Sequence, residues 1–234
     1  MDPAQMRKLL KTNTRTRHIP MILFPNAKNI FSKKLEKYIN NLQKLFDSMS
    51  KSTNSNVIID SSKSTVYSYI LSLLDNVDLY FIHLIRDPRG IAYSRQKRLI
   101  QPDKERIIYM EQYGPFRSSL MWDVRNLTSE ILWRKDNSHY LMLRYEDFIN
   151  YPKETIKNIL KLINEENKNL PFISDTEVNL NTNHSVWGNP SRFKTGVVKL
   201  KLDEEWKEKL KPIDKIISTL ITLPLLKKYN YLLN

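Results

Sequence analysis

The sequence predicts an α/β fold in which a parallel sheet is flanked by helices, and three observations carry that reading. Val57-Ile58-Ile59, Leu79-Tyr80-Phe81-Ile82-His83-Leu84-Ile85 and Tyr140-Leu141-Met142-Leu143 are short apolar runs of the kind that form buried strands. Each run ends in a polar, turn-forming cluster. Between the first two runs, Val66, Tyr69, Ile70, Leu73 and Leu74 recur at helical spacing. A strand, a helix and a strand in that order imply parallel neighbours.

The remaining elements follow from the same periodicity. Leu35, Tyr38, Ile39, Leu42, Leu45, Phe46 and Met49 form the stripe of an amphipathic helix, and the polar run Ser50–Asn56 ends it. A helix is expected from Ile91 to about Leu99, and Leu120, Val124, Leu127 and Ile131 mark another. Pro152 precedes a helix with Ile156, Ile159, Leu160 and Ile163 facing inward. Residues 170–195 read as a loop, and Val197-Val198-Lys199-Leu200 as a short extended piece. Asp203 caps a last helix, with Glu204 and Glu205 in its first turn and Trp206, Leu210 and Ile213 on one face. The 234 residues suit one domain, divided into a helical stretch over 1–56, a strand–helix core over 57–150 and a late loop with C-terminal helices over 151–234.

Composition narrows the chemistry. With no Cys and four scattered His, thiolate and H-E-x-x-H metal sites are excluded, and no metal is expected. Gly90, Gly114, Gly188 and Gly196 are too far apart to build a Gly-rich phosphate loop. No apolar run spans a bilayer and no secretory leader opens the chain, so a cytoplasmic protein without a membrane span is expected. The net charge of +13 calls for an anionic partner. The basic residues are dispersed and form no known nucleic-acid module, so no specific nucleic acid is expected.

Ligands of open parallel sheets bind beyond the carboxyl ends of the strands, where loops converge and helix N-termini present free amides. Three polar clusters stand there in sequence: Asp60-Ser61-Ser62-Lys63, Arg86-Asp87-Pro88-Arg89 with Ser94, and Arg144-Tyr145-Glu146-Asp147. Cations, hydroxyls and an aromatic ring suit a phosphorylated nucleoside.

The stretch Leu84-Ile85-Arg86-Asp87-Pro88-Arg89-Gly90-Ile91-Ala92-Tyr93-Ser94-Arg95 resembles the 3′-phosphate segment of sulfotransferases that use 3′-phosphoadenosine 5′-phosphosulfate (PAPS), the carbohydrate-type and bacterial ones in particular. Ile58-Ile59-Asp60-Ser61-Ser62-Lys63 is similar to the family's strand with its active-site Lys, and Leu143-Arg144-Tyr145-Glu146-Asp147-Phe148 to its R-Y-E-D-L segment. Asn183–Gly196 resembles its late G-N-P-x-R-F loop, and a Trp-bearing helix follows at Trp206. The resemblance implies a P-loop-like architecture, with 1–56 on the acceptor side and 57–150 holding the cofactor.

It also implies the roles of single residues. Arg86 and Ser94 grip the 3′-phosphate, Tyr145 lies near the adenine, and Arg192, Lys194 and Gly196 close over the phosphate from the late loop. Lys63 stabilises the leaving phosphate while sulfuryl passes to a hydroxyl or amine of an acceptor, a small molecule or carbohydrate. Where one branch of the family carries a His base, this chain has Thr65; Asp60 is the first choice for the base and His184 another. Nothing between Met1 and Asn56 resembles the family's first strand and 5′-phosphosulfate loop, so a truncated or inactive form is expected. A non-catalytic nucleotide-binding protein and a basic nucleic-acid-binding protein are the alternatives.

Overall fold

A computed structural model describes residues 2–100, 109–165, 169–182 and 194–232. The chain divides into two compact units, one of Met1–Phe81 with Leu127–His139, the other of Ile82–Asn126 with Tyr140–Asn234.

The first unit is helical: α1 (Pro3–Asn13), α2 (Ile19–Leu23), α3 (Pro25–Thr53) and α4 (Thr65–Leu71). Side chains set their starts. Asp2 accepts the Gln5 amide at the head of α1, and Ser64 accepts the Tyr67 amide at the head of α4. α3 stops where Asn54 turns left-handed at φ 49°, a conformation that Asn tolerates better than most residues. Phe31, Leu35, Tyr38 and Leu42, at helical steps along α3, are buried, as are Ile22, Val66 and Ile70 from α2 and α4. The predicted stripe on α3 runs past this core, so Leu45 and Met49 are exposed.

The predicted strand at Val57–Ile59 does not form. These residues have no ladder partner among the described residues, and Ile59 is 90% exposed. Three residues with no neighbouring strand have nothing to accept their amides, and composition alone does not hold a strand.

β1 (Phe81–Ile85), which the second unit contains from Ile82 on, pairs in parallel with β2 (Tyr140–Arg144). The crossover between them holds α5 (Pro88–Gln96) and α6 (Pro115–Trp133), of which the second unit contains the part up to Asn126. α7 (Tyr145–Asn150) and α8 (Pro152–Leu162) follow β2, and α9 (Glu205–Lys209) and α10 (Pro212–Lys228) close the described chain. Ile85, Trp122, Leu225, Leu226, Tyr229 and Tyr231 form the core. His83 is buried between the Tyr140 hydroxyl and the Asn126 carbonyl oxygen, each 2.7 Å away, which satisfies both ring nitrogens.

Two further expectations are corrected here. The stretch read as a loop over 170–195 contains β3 (Glu177–Leu180), antiparallel to β4 (Gly196–Lys199) with Val178 opposite Val198. β4 is the extended piece expected at 197–200. The last helix is two: Pro212 cannot continue α9 and instead opens α10, so Ile213 leaves the face of the buried Trp206 and Leu210 and is exposed.

Candidate functional site

The site is built from the turn after β1. Asp87 caps α5 by accepting the Arg89 amide at 2.8 Å, and its two oxygens take Nε and Nη2 of Arg89 at 3.0 and 2.6 Å. Burial of the whole Asp87 side chain makes this fork–fork pair a rigid corner. The same Arg89 lies over the Trp206 ring at 4.7 Å and donates to the Tyr231 carbonyl at 2.9 Å, which ties α5 to α9 and to the end of the chain. From the β2 side, Glu146 accepts the Asp87 amide at 3.2 Å and the Tyr231 hydroxyl at 2.5 Å. Burial and the bond to Glu146 push the Tyr231 hydroxyl far above the usual phenol range, so it acts as a permanent donor.

Arg86 stands on this frame. Its carbonyl accepts the Trp122 indole N–H at 3.0 Å, which anchors α6 at the carboxyl end of β1. Its guanidinium lies 4.7 Å over the Tyr145 ring, so the structure brings together two predicted cofactor residues from two strand ends. α5 begins two residues after Arg86, and Gly90 and Ser94 stand one turn apart in it, with Ser94 half-buried. A Cβ at Gly90 would meet Trp206 Cδ1 at 3.0 Å and Arg86 Nε at 3.4 Å. The glycine is what lets the Trp ring and the guanidinium approach the helix together.

The partner that sequence reading missed is Asp203, read only as a cap. The cap position of α9 is Glu204, one residue later than expected; Asp203 lies 3.4 Å from the Glu205 amide, its other oxygen takes Nη2 of Arg86 at 2.9 Å, and its carbonyl lies 3.2 Å from the same nitrogen. Burial works to raise the Asp203 carboxyl, and the hydrogen bond and charge of Arg86 outweigh it and hold the group below the usual carboxylate range.

The other predicted residues stand on other segments of the chain. Asp60 and Lys63 belong to the first unit, both exposed; Lys63 has a left-handed backbone at φ 58°, and Asp60 accepts the Ser62 amide at 2.8 Å and the Ser62 hydroxyl. Its carboxylate also lies by Tyr67, whose hydroxyl burial and Asp60 together push up. Lys194 is exposed, and Gly196 opens β4 at φ +78°, a conformation that favours glycine. Arg192 and His184 lie outside the described residues. Among the described residues, no cluster of three His, Asp or Glu side chains has metal-ligand geometry.

Asp123 was not foreseen. Its Oδ1 is buried without a hydrogen-bond partner, and burial raises the carboxyl to about 6. Ser119, one turn earlier on α6, is fully buried and its hydroxyl also has no partner. Only the helical phase of 119 and 123 marks them in sequence.

A cationic fork over an aromatic ring, at the end of a parallel strand and beside a capped helix, is equipped to hold a phosphorylated nucleoside. The model of the sulfotransferase family matches residues 5–168, and the chain belongs to that family. The matched region takes in Asp60, Lys63, Arg86, Ser94 and Tyr145 and ends before Lys194. No curated protein and no solved structure matches the chain.

Proposed function

We propose that the chain binds PAPS through the carboxyl end of β1 and transfers its sulfuryl group to a hydroxyl or amine of a small-molecule or carbohydrate acceptor. The observation that carries the reading is Arg86, just before α5, lying over the ring of Tyr145, just after β2, with Ser94 in α5 itself. A 3′-phosphate accepts from a guanidinium fork and a hydroxyl, and the Tyr145 ring offers a flat face to the base. The residues fit such a group in one further respect: Arg86 already holds a carboxylate, Asp203, whose oxygen occupies the kind of position a phosphate oxygen would take.

In the transfer, the bond from sulfur to the 5′-phosphate oxygen breaks as the acceptor oxygen or nitrogen bonds to sulfur. The acceptor proton passes to a base, and the leaving phosphate gathers charge. By resemblance, Lys63 is the cation for that charge and Asp60 the base, with Arg192, Lys194 and Gly196 closing over the cofactor. These roles rest on the family motif together with the chain's order of segments.

Calorimetry with the desulfated product PAP and with ATP, at low and at moderate salt, tests the reading. A 3′-phosphate site binds PAP in preference to ATP at both salts, whereas diffuse attraction to a basic chain fades for both. Arg86→Ala is expected to abolish PAP binding; an unchanged affinity would sink the cofactor assignment. PAP binding without turnover of PAPS, across a panel of sugar and phenol acceptors, favours the non-catalytic nucleotide-binding alternative.

A further inference from the structure

α10 buries Ser218, Thr222, Leu225 and Leu226 and leaves an outward face of aliphatic side chains. Ser218 and Thr222 are fully buried, whereas Ile213, Ile216, Leu220 and Leu223 are 58%, 53%, 66% and 43% exposed. Steps of three, four and three residues keep these four side chains on one stripe of about 15 Å along the axis. From Ile216 to Leu226 the helix carries no charge; Lys211, Asp214 and Lys215 precede that stretch, with Asp214 accepting from the Gln96 amide, and Lys227 and Lys228 follow it, so the flanks are net positive. For a helix facing water, this arrangement forfeits apolar burial at every outward position. The stripe is shaped for an apolar counterpart, and its net-positive flanks favour one that carries negative charge.

A second copy of the chain meets only the first requirement, because pairing along the stripe in either direction sets lysines against lysines. A bilayer with anionic headgroups meets both. We propose that the α10 face docks on the surface of an anionic phospholipid bilayer, its aliphatic stripe entering the boundary between headgroups and acyl chains while the three lysines lie among the phosphates. The helix lies in the plane of the surface, since no helix among the described residues is long and apolar enough to cross. The docking does not depend on the sulfotransferase reading.

The full chain is tested by co-sedimentation with vesicles of phosphatidylcholine alone, or with one part in three phosphatidylserine, at near-physiological salt. A charge of +13 attracts any anionic surface, so the deciding variant is a neutral one. Ile216→Ser/Leu220→Ser keeps every charge and is expected to lower partition onto the anionic vesicles at least tenfold. Lys227→Gln/Lys228→Gln is expected to lower it several-fold and to weaken its salt dependence. Circular dichroism checks that the variants fold, and Leu220→Ser alone, at the most exposed position of the stripe, gives the same reading with a smaller drop. Undiminished binding by the serine variants, equal binding to neutral and anionic vesicles, or a stripe-dependent dimer in sedimentation velocity overturns the proposal.

Discussion

Arg86 is held by a carboxylate, so a phosphate that arrives at this guanidinium must displace or share Asp203. The pair is partly exposed, which keeps its own strength modest. The Asp203 charge also repels an incoming dianion, and both effects disappear in Asp203→Asn. We expect that variant to bind PAP about three- to tenfold more tightly, up to about 1.4 kcal/mol, by calorimetry. A weaker affinity would mean that Asp203 orients the guanidinium more than it competes for it. Asp123 gives a prediction of opposite character, because burial raises its carboxyl to about 6 in the folded chain, above its ordinary value near 4. The folded state therefore binds the extra proton between these values. Stability falls as pH rises through that window, and the cost is complete above about 6. Asp123→Asn should raise Tm by about 2–4 °C at pH 7.5, and the gap to the parent chain should close toward pH 4. A gap independent of pH would place the effect in packing. At this scale the sequence exposed what is local: Arg86 and Tyr145 each follow a visible apolar run, and Gly90 and Ser94 share one helical phase. The pairing of Arg86 with Asp203 joins residues 117 positions apart, and no local pattern encodes it.

The elements were legible where a period had room to repeat and illegible where pairing decided. α3, α6 and α8 follow apolar steps in the sequence, β1 and β2 follow apolar runs bounded by turn residues, and α5 forms three residues earlier than the expected 91–99, because Asp87 and Pro88 open it. Val57–Ile59 is as apolar as those strands and remains unpaired, because a strand exists only with a neighbour. β3 was hidden for the converse reason. Glu177-Val178-Asn179-Leu180 is short and half polar, and its alternation becomes a strand only because β4 lies beside it. The contact between α5 and α9 shows how an element constrains the site, since a methyl on Gly90 must share space with the buried Trp206 ring. Overpacking costs roughly 1–3 kcal/mol, and the helix preference of Ala over Gly offsets about 1 of these. Gly90→Ala should therefore lower stability by about 1 kcal/mol in thermal melts and weaken PAP binding at least several-fold, as Trp206 shifts and Arg86 loses its position. Unaltered PAP affinity would show that the glycine serves packing alone.

On the scale of the whole chain, +13 was legible from composition, but its meaning was not, because diffuse charge and a built phosphate site attract the same ions. Thermal melts separate the two. Self-repulsion among dispersed lysines is relieved by any salt, so raising NaCl from low to moderate concentration should raise Tm by a few degrees and then level off as the Debye length falls to about 10 Å. A site organised by Arg86 responds to the species of anion as well. PAP binds the folded state and not the unfolded chain, so it adds RT ln(1 + [L]/Kd), about 2.7 kcal/mol at a hundred times Kd. At matched ionic strength, PAP should therefore raise Tm beyond the chloride plateau by several degrees, with a dependence on concentration that follows the calorimetric Kd. Arg86→Ala should keep the chloride response, since it removes only one of 38 cationic side chains, and lose the PAP response. If PAP and chloride act alike at equal ionic strength, the chain's affinity for anions belongs to its net charge, and the turn after β1 is a rigid corner of the fold without a nucleotide to hold.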